Sequence, residues 1–391
     1  MSVLESARAR AAALWAVAAA TSLLAVASVA VSGRRALSDA REFGSKDFQW
    51  SPTRLFLDGV DPYQARLDGS DDIILTQSPN YLHLLYEVLS PVGLLPFTTA
   101  RAVWLVLSVA LAIALGVFYA RTAHLGRAGT VILVGALLAS TPVRLGLSVG
   151  QHGVFLLACA TVAFAFAARP WAGIPLAVAL TKYSFAPLGL VLLVAGRIRT
   201  IVVAGAVLAG GALLFAVVTS TGLVDAVLGP FRVAGNAVGS GAADLMTVLG
   251  LTPWFDGNEP VVSALAVVGA VALAVIARRQ IRSGDWVFQL GIASVVSLIC
   301  FKHLAHDLVF LLPVVVLALR MTGARAAVAW AGLAWHGFVV GVLSQLGTPY
   351  DTPAVVVASF LVLAAMFAVL ATDPDAERSR DARGLADAGL H

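Results

Sequence analysis

Charge is what this chain has least of. Only 12% of its 391 residues are Asp, Glu, Lys or Arg, whereas 59% are hydrophobic; a soluble domain carries roughly 25% charged residues. Half that share cannot coat a water-facing surface around so much apolar mass. A soluble enzyme, a disordered chain and a nucleic-acid binder are therefore poor fits. Cysteine is nearly absent. Cys159 and Cys300 both fall within or at the end of apolar runs, which gives neither a disulfide framework nor a metal cluster. Gly-rich phosphate loops, haem motifs and zinc spacings are missing, as is an internal repeat of the transporter kind. The pI of about 9.3 comes from basic residues in ones, twos and threes at the ends of apolar stretches. Such residues orient a membrane protein and do not build a phosphate-binding face, so no nucleic-acid partner is expected.

What is abundant is long hydrophobic runs, with a mean hydropathy of +0.90. They predict helices at about 11–32, 101–120, 128–147, 153–168, 171–181, 184–196, 200–219, 261–277, 286–300, 307–319, 326–344 and 353–371. None shows the short alternation of a barrel strand. Several are shorter than the ~20 residues of a full crossing. The pair 171–181 and 184–196 is interrupted at Lys182-Tyr183-Ser184. One continuous helix would bury Lys182 near the bilayer centre, at roughly 2.5–3.5 kcal/mol on insertion scales. Two short helices that dip in and return place it near the surface instead.

With the N-terminus inside, 15 of the 26 basic residues lie on short inner segments, Arg121, Arg169, Arg197, Arg278 and Arg325 among them. The remaining 11 spread over a longer outer side, where most acidic residues also fall, as the positive-inside rule requires. Arg8 and Arg10 precede a first run of about 22 residues, longer than a typical signal core despite the cleavage-like Ala25-Val26-Ala27, so it reads as a retained anchor. The polar Thr372–His391 reads as a disordered cytoplasmic tail.

This topology puts the polar clusters on one face: Arg41–Tyr86, Gly150-Gln151-His152, Lys182, the 220–260 loop, and Phe301–Asp307. The runs 11–32, 200–219, 261–277 and 353–371 hold no ionisable residue. A transporter carries polar groups near the midplane; chemistry at the outer surface over apolar helices suits an enzyme acting on a lipid-linked substrate. The only three lysines, Lys46, Lys182 and Lys302, all lie on that face, where a compact ammonium can hold a phosphate.

The run Asp47-Phe48-Gln49, then Leu57-Asp58-Gly59-Val60-Asp61-Pro62-Tyr63, resembles the first outer loop of glycosyltransferase family 87. So do Gly150-Gln151, Lys182 in a short helix pair with Pro187, and a late cluster ending in His306-Asp307. The resemblance covers the first helix to about residue 320. It implies an all-α integral membrane protein, a GT-C-type polytopic helical bundle of about 12 membrane helices with outer loops at about 33–100 and 220–260. It also implies the activity of polyprenol-phosphate-mannose-dependent α-1,2-mannosyltransferases of actinobacteria. The partners would then be a polyprenyl-phosphate sugar donor, a glycolipid or glycan acceptor and membrane lipids, with no cofactor. Two features depart from the family: Ser78-Pro79-Asn80-Tyr81 replaces an aromatic-Pro-Pro turn, and Lys182 stands five residues before Pro187.

Under this resemblance Asp47 is the catalytic base, a surface carboxylate whose partial desolvation raises its pKa toward that task. The competing reading is a solvated loop aspartate beside Lys46. Lys182, His303, His306 and Lys302, with Asp307, form the donor-phosphate set, where cations stabilise the leaving phosphate. The histidines would otherwise cap a helix start; a metal is not assigned, because no further ligand pattern lies nearby. Gln151, His152, Asp58, Asp61 and Tyr81 are candidate substrate contacts, with Gln77, Asn80 and Glu87 as possible groove residues. Asp61 before Pro62 equally suits a turn, and Gln151-His152 a helix cap. A lipid or glycan transporter and a non-catalytic envelope-assembly subunit are the competing classes.

Overall fold

The computed structural model describes residues 3–38, 47–73, 78–235, 243–255, 257–349 and 351–372. Lys46, Gln77 and the tail 373–391 lie outside them. Among the described residues the fold is entirely helical. In chain order the first elements are α1 (Val3–Leu37), α2 (Trp50–Leu57), α3 (Pro62–Leu67), α4 (Leu84–Gly93) and α5 (Phe97–Thr122). Next come α6 (Arg127–Ala139), α7 (Thr141–Val149), α8 (Gly153–Ala165), α9 (Gly173–Ala179), α10 (Ala186–Val194) and α11 (Ile198–Val218). After these run α12 (Leu223–Gly235), α13 (Leu245–Gly250), α14 (Glu259–Ile276), α15 (Arg278–Ser283) and α16 (Trp286–Cys300). The last are α17 (Leu312–Arg320), α18 (Gly323–Ala334), α19 (Val340–Gln345) and α20 (Pro353–Ala371), with a π-turn, Trp335–Val339, joining α18 to α19.

Among the described residues six helices are long and apolar enough to cross a bilayer: α1, α5, α11, α14, the α18–α19 rod and α20. The pair α6–α7 makes a seventh if its two limbs are one span, bent by 53°. The bend has a local cause. Ser140 adopts extended backbone and Pro142 opens α7, so the α6 ladder of hydrogen bonds cannot continue. The other runs predicted as membrane elements form shorter apolar helices, α8, α9, α10, α16 and α17. At 1.5 Å per residue, the 15 residues of α16 reach only about 22 Å, short of a ~30 Å hydrocarbon core. The fold is thus an all-α polytopic bundle, whose length-competent spans are fewer than the twelve apolar runs.

α16 is its centre. Every residue from Val287 to Cys300 is buried, as expected of a helix that is apolar all round. It packs against α8, α10, α14, α17 and α20. The long spans instead turn large side chains outward, such as Leu23, Val106 and Val268. The described residues between α1 and α5 and between α11 and α14 include α2–α4 and α12–α13, where short apolar stretches find packing partners: α2 packs on α4, α12 on α3 and α11, and α13 on α14 and α20.

The break in the 171–196 region is present: α9 ends at Ala179, Lys182 is extended, and α10 begins at Ala186. α9 is held against α11 at a point where only glycine fits. A Cβ on Gly173 would stand 2.5 Å from the Thr200 carbonyl oxygen and 2.6 Å from the Val203 Cβ. Gly173→Val should therefore force the helices apart and lower stability by about 1–3 kcal/mol, read as a drop in the thermal midpoint of the purified protein. Val at Gly205, where an added Cβ meets open space, is the control and should leave the midpoint nearly unchanged.

Candidate active site

Asp47 follows α1 at the start of a constrained turn. The next two residues, Phe48 and Gln49, both have left-handed backbone, with φ of 44° and 65°. For residues other than glycine this costs on the order of 1–3 kcal/mol each, so the surroundings must enforce it. Phe48 stacks on Trp104 with ring centroids 5.5 Å apart. The Gln49 side-chain amide donates to the Ser78 carbonyl at 3.0 Å, and its backbone carbonyl accepts from the Thr53 hydroxyl at 2.7 Å. The turn points Asp47 inward, where it is fully buried. One carboxylate oxygen accepts the Ser51 backbone N–H at 2.8 Å and the other accepts the Ser51 hydroxyl. Burial raises the Asp47 pKa to about 7; the hydrogen bonds from Ser51 and Trp50 offset only part of that rise. No second carboxylate is needed to explain the rise: desolvation of the charged form suffices.

From Asp47 the wall of the site can be followed ring by ring. Trp104, whose indole N–H bonds the Gly150 carbonyl at 3.1 Å, lies 4.9 Å from the His152 ring. His152 lies 5.2 Å from Tyr81, and the Lys182 Nζ sits 5.9 Å from the Tyr81 ring centre. The Tyr81 hydroxyl reaches Gln151 Oε1 at 3.4 Å. His152 is held neutral, its pKa lowered to about 3 by burial and by Lys182 and His306 nearby. Gly150 takes the left-handed conformation that ends α7, which turns Gln151 and His152 toward Tyr81 before α8 begins.

Lys182 closes the far side. Its ammonium contacts both oxygens of Asp307 at 2.6 Å, the lysine 16% exposed and the aspartate 1%. Burial alone would raise the Asp307 pKa, but Lys182, His306 and the hydrogen bonds from Lys182 and the Leu304 N–H hold it at about 2. His306 sits beside the same carboxylate, Nε2 to Oδ1 3.7 Å. Burial dominates its titration and lowers its pKa to about 4, so at neutral pH it is an imidazole, not an imidazolium. These residues lie on a 3-10 segment, Ala305–Leu311, wedged against α7 and α8. The wedge needs Gly153, where an added Cβ would fall 3.0 Å from the His306 carbonyl oxygen.

The other expected residues stand apart. His303 and His306 do not share a helix face: Phe301 and Leu304 are extended. His303 turns to Asp244, which accepts its backbone N–H at 3.4 Å and lies 3.7 Å from its ring. Lys302 is exposed. Asp58 ends α2 in an exposed pair with Arg54 at 3.0 Å. Asp61 caps α3 through the Tyr63 and Gln64 N–H groups and accepts the Thr221 hydroxyl at 3.0 Å. Gln49, Ser51 and Trp104 are site residues that sequence reasoning missed, and Asp244 is a missed partner of His303. Ser51 alone carried a signal, one helical turn after Asp47. Among the described residues no three His, Cys, Asp or Glu side chains stand together as a metal site.

Beside this polar wall runs an apolar groove of about 400 Å³, between α6–α7 on one side and α17–α18 on the other. Leu308, Val309 and Leu311 form its edge, with Leu133, Val315, Trp330 and Phe338 around it. One 3-10 segment thus carries His306 and Asp307 into the polar cluster and its next residues into the groove.

Removing Lys182 should strand a buried carboxylate. Lys182→Met is expected to cost about 3–5 kcal/mol, and Lys182→Met with Asp307→Leu should recover most of it, by thermal unfolding. Asp307 has a depressed folded pKa, so the pair's contribution is present above the ordinary carboxylate range and is lost as pH falls toward about 2.

No curated protein and no solved structure gives a match. A sequence model of glycosyltransferase family 87 matches residues 85–306, more than half of the chain. That span contains Gln151, His152, Lys182, His303 and His306 and begins beyond Asp47 and Tyr81. The chain belongs to glycosyltransferase family 87 and is a membrane glycosyltransferase.

Proposed function

We propose that this enzyme transfers a sugar from a polyprenyl-phosphate donor to a lipid-linked glycan or glycolipid at the outer face of the cytoplasmic membrane. Mannose is the sugar to which the sequence resemblance points. The observation that carries the reading is the junction at Ala305–Leu311 of a polar, cation-bearing cluster with an apolar groove. An amphiphile with an anionic head and a long hydrocarbon tail matches both halves.

In this reading Asp47 takes the proton of the acceptor hydroxyl as its oxygen attacks the anomeric carbon. The bond from that carbon to the phosphate oxygen breaks with inversion, and polyprenyl phosphate leaves. Lysine has three N–H donors. Two of them face Asp307, which leaves the third for a phosphate oxygen. His306, neutral at working pH, donates its Nε2–H beside it. Charge that develops on the leaving group then meets fixed donors in a desolvated site, where each is worth more than in water. Tyr81, Gln151 and His152 would line the sugar between the two centres. The basic residues gathered on short inner segments support the outer-face placement.

The reading is tested by sugar transfer from radiolabelled polyprenyl-phosphate mannose to a lipid extract, using purified protein in nanodiscs. Asp47→Asn, if folded, should lose about 10²–10⁴-fold in rate; transfer that survives would remove Asp47 as the base. A base must be ionised, so kcat/KM should rise with pH through about 7. Ser51→Ala removes the hydroxyl bond that favours the carboxylate and keeps the backbone N–H bond, so the rising limb should move to higher pH. A second variant probes the tail. A Cβ on Gly337 meets nothing within 4 Å, and the residue lines the groove. Gly337→Leu should raise KM for a long-chain donor and leave a short-chain analogue unaffected, whereas equal effects on both would remove the tail from the groove.

A further inference from the structure

Helix α12 has three distinct sides. One is buried: Ala226, Gly229, Pro230 and Val233, with Ala226 and Val233 in a cluster with Phe56, Tyr63, Tyr86 and Phe215. There the Ala226 carbonyl accepts His83 Nε2–H at 2.6 Å, and a Cβ on Gly229 would stand 2.9 Å from the Tyr63 ring. The opposite side is exposed and apolar: Val224 (70% exposed), Val227, Leu228 and Phe231. Along one flank lies the exposed pair Asp225–Arg232, 2.9 Å apart. The exposed apolar positions 224, 227, 228 and 231 recur at helical spacing, as do the buried ones. A helix with water on its outer side carries polar residues there.

Two further observations say what covers this side. Four residues back, α11 ends with its outward apolar surface, including Leu213, Leu214 and the 69%-exposed Val217. That surface belongs to a candidate membrane span, and the α12 stripe continues it around a turn. At the other end of the same connection, Trp254 is 90% exposed just before α14, the next span. Tryptophan concentrates at the level of the lipid headgroups.

We propose that α12 lies in the plane of the membrane at the lipid–water boundary. Val224, Val227, Leu228 and Phe231 enter the acyl region, while Asp225 and Arg232 stay among the headgroups; the arrangement is that of an in-plane amphipathic helix. The placement stands on the fold alone. Its consequence for substrates rests on the transfer reading: Phe231 lies 5.3 Å from the Tyr183 ring, the neighbour of Lys182, so α12 is the lipid-side border of the site.

The test uses the native full-length chain in phosphatidylcholine–phosphatidylglycerol nanodiscs, labelled with an apolar photoactivated carbene reagent and mapped by residue-level mass spectrometry. Adducts are expected at Val224, Val227, Leu228 and Phe231 as on α14 and α20, with Asp58 and Arg66 unlabelled. An unlabelled α12 beside labelled α14 and α20 would overturn the proposal. Spin labels on single introduced cysteines at 224–232 give the second reading, with the unmodified chain as the blank for Cys159 and Cys300. Collisions with oxygen should peak at 224, 227, 228 and 231, with a period of about 3.6 residues, and collisions with an aqueous nickel chelate at 225 and 232. Uniform nickel access would mean water on the outer side. Dipolar broadening between labels would mean a second copy there. Either result contradicts the membrane placement.

Discussion

The contact on which the site depends is the buried ion pair between Lys182 and Asp307, 2.6 Å apart. It joins two places where apolar helices are interrupted, the α9–α10 break and the 3-10 segment after α16. Each interruption alone would leave a charge in an apolar bundle, at a cost of several kcal/mol. Together they neutralise one another and fix His306 between α7 and α8. The same carboxylate accepts the Leu304 N–H, so the pair also determines where the 3-10 segment begins. From that start the next residues fall along the groove. Polar cluster and apolar groove meet because one ion pair sets the register of one segment.

Two fully buried carboxylates in this site titrate in opposite directions. Asp307, facing an ammonium, is held at about 2; Asp47, hydrogen-bonded by Ser51 and the Trp50 N–H, is pushed up to about 7. Burial is common to both, and the partner decides. Environments that drive like groups apart in this way divide roles between them. A permanently ionised Asp307 serves as an anchor for Lys182. An Asp47 poised near neutrality can take and release a proton. The strained Phe48–Gln49 backbone keeps Asp47 out of water, and so maintains the difference.

The helical bundle was legible in the sequence because its signal is local: runs of apolar residues bounded by arginine. Lys182 was legible for the same reason, as the cation that interrupts the apolar stretch 171–196. Asp47 and His306 needed the resemblance to a family, since nothing local separates them from loop residues. Asp244, Gln49 and Trp104 could not be read. Their importance lies in partners 59, 29 and 46 residues away in the chain. The divergence of His303 and His306 could not be read either, because it comes from extended backbone at Phe301 and Leu304. The short helices α2–α4 and α12–α13 are held by packing on one another and on neighbouring helices, α13 on α14 and α20 and α4 on α5 and α11, so no window of sequence announces them. Of the twelve apolar runs, six or seven form helices long enough to span by themselves among the described residues, and the others form shorter apolar helices.

The most direct measurement is photo-crosslinking with a polyprenyl phosphate that carries a diazirine in its tail, followed by mapping of the adducts in the native protein. Adducts on Leu133, Leu308, Val315 or Phe338, displaced by unlabelled polyprenyl phosphate, are the predicted result. Adducts confined to the outward surfaces of α11, α14 and α20, with none in the groove, would contradict a donor held by its head at Lys182 and its tail beside Leu308.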